Sequence, residues 1–526
     1  MISNPNDAKR ERLARAAEVA TRFSEREAGG GGWREPHDAF LAAYYRHVAA
    51  EDILARDPSQ LSDAALGHRR LATERPTGGT LVRVDTPSSE ADGWPAPRSL
   101  VQIVTDDMPF LVTSVTAELT RQGRAIHLVI HPQLQVRRDP MGHLLEVITD
   151  ETSSLSSDRI AESWISVEID RESPDEGAEQ LAHSVRQVLA DVRVAVEDGP
   201  MMREQLLQAT ADLRAHPPAG MEKVDVEEAV KYLDWLSDER FTHLGYVEYG
   251  RLPDGSLAGN DKLAPVLDSE LGLLRPEQPQ ASQLLGNAAA GPADVAPLTL
   301  TKSSQRSTVH RSLYLDDIAV GVFDVQGRPI ARRQFLGLFT SAAYHESVLR
   351  IPMLRRKVAA LLNRMGLSPT SHTGKDVIEI LEDYPRDELV QVSLDELEQA
   401  IVEILDLQER QRLRLFLRHD HRARYVSALV YLARDRYTTA ACLRLEQILR
   451  DAFDADRVEY TTLVSDSVLA RLHFVVRRAD AAPLPEADHE ELERRLADAI
   501  RSWSDDLADT LRAEVGNEDA TRLLRV

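Results

Sequence analysis

Residues 100–132 read LVQIVTDDMPFLVTSVTAELTRQGRAIHLVIHP, and the order of patterns within them decides the fold. Val101 and Ile103 alternate with polar neighbours as in a strand. Asp107 and Pro109 suit a helix start, and Leu111, Val115 and Leu119 recur at helical spacing. Gly123 stops the helix and Ile126 to Ile130 is extended again. A nucleotide fold needs glycines in the turn before such a helix so that backbone can approach a pyrophosphate. Here the turn carries Asp106 and Asp107, which repel phosphate, so the unit is built for something else. Two adjacent acids could do general acid work, but they diverge from a strand end and suit helix capping better.

Downstream, GHLLEVITD and SWISVEID are further extended runs, with Ile165, Val167 and Ile169 on one face. A helix follows, with Leu181, Val185, Val188, Leu189, Val192 and Val196 at helical spacing. Strands mixed with helices at this size predict a two-layer, ferredoxin-like α+β module over 96–215. Upstream, 1–95 reads as a helical region broken by the GGGG at 29–32. Its candidate packing residues are Leu41, Tyr44, Tyr45, Val48, Ile53, Leu54 and Leu61, and a short strand, TLVRV, lies near its end.

Beyond the first module, 221–350 reads as a second α/β module. It opens on a helix with a capping-box-like Asp225 and Glu228 and an apolar face of Val226, Ala229, Val230, Leu233 and Leu236. RFTHLGYVEYGRL is a strand, the Pro- and Gln-rich 275–300 a mobile loop, and the strands flanking VQGR a hairpin. Residues 351–410 form a helical connector: one stripe ends at Gly366, and Ser393 with Glu396 caps another helix. From 411 to 515 the order strand, strand, helix, strand, strand, long helix is a second ferredoxin-like pattern, to 488–515 for its last helix. Residues 516–526 open a further helix that stops after about two turns, as in a fragment of a longer chain.

A chain of 526 residues implies several domains at roughly 100–200 residues each. Acidic residues outnumber basic ones by 86 to 63, a net charge of -23, which disfavours nucleic acid and anionic membrane as partners. Cys442 is the single cysteine, so neither an intrachain disulfide nor a thiolate cluster can form. The N-terminus lacks a signal-like apolar segment, and no run of about 18 apolar residues occurs, so a cytoplasmic location is expected.

Motifs for chemistry are sparse. No Gly-x-Gly-x-x-Gly follows a strand, and GLSPTSHTGKD, 366–376, has seven residues between its glycines where a phosphate loop has four. His127 with His131, and His419 with His421, offer two ligands each where a metal needs about three. Ser307, Thr308, His310, Arg311, Asp316 and Asp317 gather hydrolase residue types without a nucleophile turn. They read better as the polar start of a strand.

Longer blocks carry a resemblance. RSTVHRSLYLDDIAVGVFDVQGRPIARRQFLGLFTSAAYHES, IPMLRRKVAALLNRMGLSPTSHTGKDVIEILEDYPRDEL, RFTHLGYVEY and LQERQRLRLFLRHDHRARYVSALVYLARDRYTT resemble the N-terminal half of the large-subunit class of bacterial NAD-specific glutamate dehydrogenases, as does the opening stretch. The resemblance implies a regulatory and assembly segment: ACT-like ferredoxin-like modules, a PAS-like module between them, and helical connectors. Whole enzymes of this class convert L-glutamate with NAD to 2-oxoglutarate and ammonium. Their catalytic lysine and nucleotide loop lie outside the resembling region, so the resemblance assigns no catalytic, cofactor-binding or metal residue here, and NAD is expected in the catalytic region. It further implies the catalytic domain and other subunits of a homo-oligomer as partners, with an amino-acid effector. The turn of Asp106, Asp107 and Met108 is the candidate contact, its carboxylates receiving an ammonium while helix amides receive a carboxylate. The alternatives are a non-sensing oligomerisation scaffold and a free-standing ACT/PAS signalling protein.

Overall fold

The computed structural model describes residues 4–26, 35–86, 98–149, 158–173, 176–252, 254–258, 262–285, 291, 295–410, 412–420, 425–465, 467–478, 484–501, 507, 510–511 and 513–516. The Gly-rich break, His421 and residues 517–526 lie outside them. Two compact units are present. One comprises Met1–Asp212, Thr242–Ala296 and Gln305–Leu338, the other Leu213–Phe241, Pro297–Ser304 and Phe339–Val526.

Four helices come first: α1 (Pro5–Arg26), α2 (His37–Tyr44), α3 (Ala50–Leu54) and α4 (Pro58–Leu71). Then come β1 (Leu81–Asp85), β2 (Arg98–Asp106), α5 (Leu111–Arg121), β3 (Ile126–Ile130), β4 (Gln133–Arg138), β5 (Leu144–Ile148), β6 (Ile160–Asp170) and α6 (Glu176–Ala215). The strands form one sheet of order β1-β2-β6-β4-β5, with β3 also paired to β6. β2 and β6 pair antiparallel from Arg98 opposite Asp170 to Asp106 opposite Glu162, and β3 and β4 share the far edge of β6 in succession. β4 escapes a reading by apolar runs because only Leu134 and Val136 of QLQVRR point inward.

Alternation along the strands gives this sheet two buried faces. Val101, Ile103, Ile165 and Val167 point to one, and Val104 and Trp164 to the other. The second face shares a core with Leu13 of α1, Phe40, Leu41 and Tyr44 of α2, Ile53 of α3 and Leu61 and Ala65 of α4. The N-terminal helices therefore cover a sheet face that a two-layer sandwich leaves open.

Next come α7 (Lys223–Ser237), β7 (Phe241–Gly250), β8 (Ala264–Pro265), β9 (Leu271–Gly272), α8 (Ala281–Leu285), β10 (Leu298–Arg306), β11 (Tyr314–Phe323) and β12 (Pro329–Phe339). Their sheet runs β10-β11-β12-β7-β8, with β9 on β7. The expected hairpin is present, its turn closed by Asp324 Oδ1, which accepts from the Gln326 and Arg328 amides, each at 2.9 Å. Two expectations need correction. α7 starts at Lys223, so Asp225 and Glu228 form no capping box. They pair instead with Arg356 and Arg355, and Glu228 also accepts from the Met353 amide. The 275–300 stretch is not simply a loop, since it contains α8, buried Ala281 and Leu284, and the start of β10. Two leucines in a Pro- and Gln-rich run are too few to display a period.

The rest comprises α9 (Ser341–His345), α10 (Leu354–Arg364), α11 (His372–Asp383), α12 (Arg386–Gln391), α13 (Leu394–Arg410), β13 (Arg414–His419), β14 (Tyr425–Ala433), α14 (Thr439–Ala452), β15 (Arg457–Val464), β16 (Leu469–Arg477) and α15 (His489–Ala499). Ser393 and Glu396 make the expected reciprocal cap at the start of α13. The last sheet is antiparallel with order β13-β14-β16-β15, and α14 and α15 close its core through Leu445, Leu449, Leu492 and Leu496. α15 ends at Ala499, where the Ile500 and Arg501 amides bond back into its last turn, and the described residues 507, 510–511 and 513–516 are helical again, so the helix expected over 488–515 is interrupted after 499.

The first and last sheets share a permutation. In each, the edge position beside the first strand of a strand-helix-strand-strand unit is filled from upstream, by β1 next to β2 and by β13 next to β14. Among the described residues no helix is long and apolar enough to cross a membrane.

Candidate functional site

The turn that follows β2 is built from both ends. The Asp107 amide bonds to the Ala161 carbonyl, which fixes the end of the strand, and Phe110 takes a left-handed φ of 73° before α5 begins. Phe110 therefore occupies the N-cap position, without a side-chain cap, and neither aspartate caps the helix. The carboxylates are used elsewhere. Asp106 accepts from Arg75 Nη2 at 2.8 Å and from Arg193 Nη2 at 3.0 Å. Asp107 accepts from Ser163 Oγ at 2.6 Å and from Gln133 Nε2 at 3.1 Å, and Ser163 is also 2.9 Å from His131 Nε2.

Arg75, only 1% exposed, bridges further, to Glu162 Oε1 at 2.8 Å. Glu162 is fully buried. It also accepts from Arg138 Nε at 2.6 Å and from Trp164 Nε1 at 2.9 Å. Burial alone would raise the Asp106 carboxyl, but the Arg75 and Arg193 guanidiniums outweigh it and hold that group below its usual range. With Glu197 at 3.6 Å from Arg193, the cations Arg75, Arg138 and Arg193 face the anions Asp106, Glu162 and Glu197, and the cluster neutralises itself. Met108 is half-buried beside it.

The loop between β10 and β11 closes over the same helix start. The His310 amide donates to Ser114 Oγ at 2.8 Å, and its ring lies on Phe110 with centroids 5.0 Å apart. Thr308 donates to the buried Asp191 carboxylate at 2.7 Å, while Ser307 bonds within its own turn to Val309. Ser307, Thr308 and His310 thus have separate structural partners and do not converge. His127 is 2.7 Å from Asp170, apart from His131, and among the described residues no group of three or more His, Cys, Asp or Glu side chains is placed to hold a metal.

In GLSPTSHTGKD, Ser371 caps α11 by accepting from the Gly374 amide, and a Cβ on Gly374 would lie 2.0 Å from the Ser368 carbonyl oxygen. That glycine serves a tight helix entrance. Arg75, Arg138, Arg193 and Glu162 were not legible as a group, because the residues they join lie up to 87 positions apart. A local signal was Glu162 beside Ile160, Ala161 and Trp164 in the extended run IAESWISVEID.

Comparison with known proteins follows the same segments. Residues 40–185 match the family model for the glutamate dehydrogenase ACT1 domain, 351–410 that for glutamate dehydrogenase helical motif 1, and 414–504 that for the glutamate dehydrogenase ACT2 domain. A curated protein of Halomonas elongata, named NAD-specific glutamate dehydrogenase, is 36% identical over 492 residues, covering 93% of this chain and 30% of that protein. The equally named proteins of Pseudomonas aeruginosa and Mycobacterium tuberculosis are 33% and 31% identical, covering 92% and 88% of this chain and 30% and 28% of their own length. The chain thus spans about 30% of the length of these relatives. It belongs to the family of NAD-specific glutamate dehydrogenases, in the stretch that carries the ACT1 domain, helical motif 1 and the ACT2 domain.

Proposed function

We propose that this chain is an N-terminal regulatory and assembly segment of an NAD-dependent glutamate dehydrogenase. The observation that carries this reading is the pair of equally permuted ferredoxin-like sheets, each lying in a stretch matched by an ACT-domain model. The dehydrogenase chemistry, L-glutamate with NAD and water to 2-oxoglutarate, ammonium and NADH, belongs in this reading to the part of the relatives that the chain does not match. The middle sheet is then the PAS-like module, the partners are the catalytic region and other subunits of a cytoplasmic homo-oligomer, and an amino acid is the effector. Asp106, Asp107 and Met108 at the start of α5 are the proposed contact. Regulation requires the effector to bind two arrangements of the modules with different affinity.

A specific observation favours the scaffold reading as the second: Asp106 and Asp107 already hold internal donors, so an ammonium must displace Arg193 or Gln133 to reach them. Calorimetric titration of the 526-residue chain with a panel of amino acids separates the two. Saturable heat with one amino acid, weakened by Asp107→Asn and by Met108→Ala in chains that melt normally, supports sensing. Silence across the panel, with concentration-dependent self-association by light scattering, supports the scaffold.

A further inference from the structure

The first unit holds a second, chemically distinct concavity. A partly open pocket of about 310 Å³ lies between α3 and α4 and the sheet face they cover. Ile53, Leu61, Leu100, Leu128 and Ile130 make its walls apolar. Its polar groups gather on the strands. Glu168 sits in register between Leu100 and Leu128, and Ser166 is next to Ile130 in the adjoining row.

Glu168 is neutralised from one side. Arg56 grips it through Nε at 3.1 Å and Nη2 at 2.6 Å. Arg98 adds a second cation, giving Nη1 to Glu168 Oε2 at 3.2 Å, and its side chain is 41% exposed. Among the described residues its Nε and Nη2 donors have no hydrogen-bond partner, so two guanidiniums face one carboxylate at this end of the pocket. Asp170, opposite Arg98 in register and within electrostatic reach of it, is engaged by His127 at 2.7 Å and by the Ala125 amide, and Asp52 acts on Arg56 from the other side. Deeper in, Ser166 is 1% exposed and its Oγ faces the Tyr44 hydroxyl without a well-aligned hydrogen bond. The neighbouring Tyr44 hydroxyl is committed to His68 Nδ1 at 2.8 Å. A buried hydroxyl whose hydrogen bond is poorly aligned is costly, and a ligand atom that reaches it lowers the cost.

We propose that this pocket binds a small monocarboxylate with an apolar body, its carboxylate on the free fork of Arg98, its chain against the leucine and isoleucine walls and a polar atom at Ser166. Small-ligand sites have this form, mostly apolar with a few placed polar groups, and a planar guanidinium suits a carboxylate. The inference does not depend on the regulatory reading, because it concerns other residues on the opposite side of the strand alternation from Ile165 and Val167.

The test is calorimetry and thermal melting of the full chain with hexanoate, acetate and hexylammonium as probes. Hexanoate is expected to give saturable heat and a raised melting temperature, with acetate and hexylammonium silent. Arg98→Gln should weaken hexanoate at least tenfold, and Ala64→Phe, which fills the pocket from α4, should abolish its binding. Silence with hexanoate overturns the proposal, as does heat left unchanged by Arg98→Gln, or equal binding of hexylammonium. Arg98 lies at the partly exposed end, so its variant carries the test even where Ala64→Phe fails to fold. Heat from an apolar amino acid in the panel is assigned to this pocket where Arg98→Gln weakens it and to the α5 turn where Asp107→Asn does.

Discussion

Arg75 is the residue on which the end of the first sheet turns. It holds Asp106 of β2 and Glu162 of β6, side chains that stand opposite one another in register and would repel across the sheet without it. Replacing it with methionine leaves two carboxylates partly unpaired, one of them fully buried. Arg75→Met should therefore cost about 3–5 kcal/mol, read as a lower urea midpoint. Arg75→Lys should recover only part, since one ammonium cannot reproduce the separate bonds to Asp106, Glu162 and the Gly79 carbonyl. Histidine burial sets the acid response. Burial pushes His68 down to about 3 and His243 down to about 4, so both fold as neutral rings. Their unfolded value is about 6.5. The unfolded chain thus binds more protons below that pH, and stability present above it is lost as pH falls toward 4 and then 3, by about 1.4 kcal/mol per pH unit for each ring. Urea midpoints between pH 6.5 and 5, above the carboxylate range, should fall, and His68→Gln should flatten the fall. A flat native profile in that window would remove the assignment.

At the scale of elements, helix ends carry much of the specificity. Lys357 of α10 donates to three carbonyls, Leu389 at 2.9 Å, Val390 at 3.1 Å and Val392 at 2.7 Å, and so satisfies the C-terminal end of α12. Lys357→Met removes all three bonds and should cost about 2–3 kcal/mol, measured by denaturant titration. Gly374→Ala forces a Cβ into the Ser368 carbonyl and should loosen the first turn of α11, seen as faster amide exchange over 372–376. A segment tells the same story: Gln280 donates to Asp191 at 2.9 Å, and Ala281 and Leu284 are buried, so deleting 276–298 should lower the melting temperature markedly where a loop deletion would be neutral.

At the scale of the whole molecule, the first sheet is an open design only on paper. Leu128, Ile130, Leu134, Val136 and Trp164 share a core with α1–α4. A fragment of 96–215, as the sequence delimits the module, removes β1 and bares that face. It should aggregate, whereas the full chain, which keeps that cover, should be monodisperse by light scattering. A soluble, cooperative 96–215 would show that the helical cover is dispensable.

The sequence by itself determined the local elements: the strand, turn, helix and strand of 100–132, the hairpin around VQGR, the cap at Ser393 and the stop at Gly366, because hydrophobic period and capping chemistry are read over a few neighbouring residues. It also held, in long blocks, the likeness that the family comparisons bear out. Only the tertiary structure decided that an upstream strand fills the edge of both outer sheets, that α1–α4 cover the first, and that Asp106 and Asp107 face arginine, serine and glutamine. Those outcomes rest on pairings between residues tens of positions apart, and the spacing of neighbours carries no record of them.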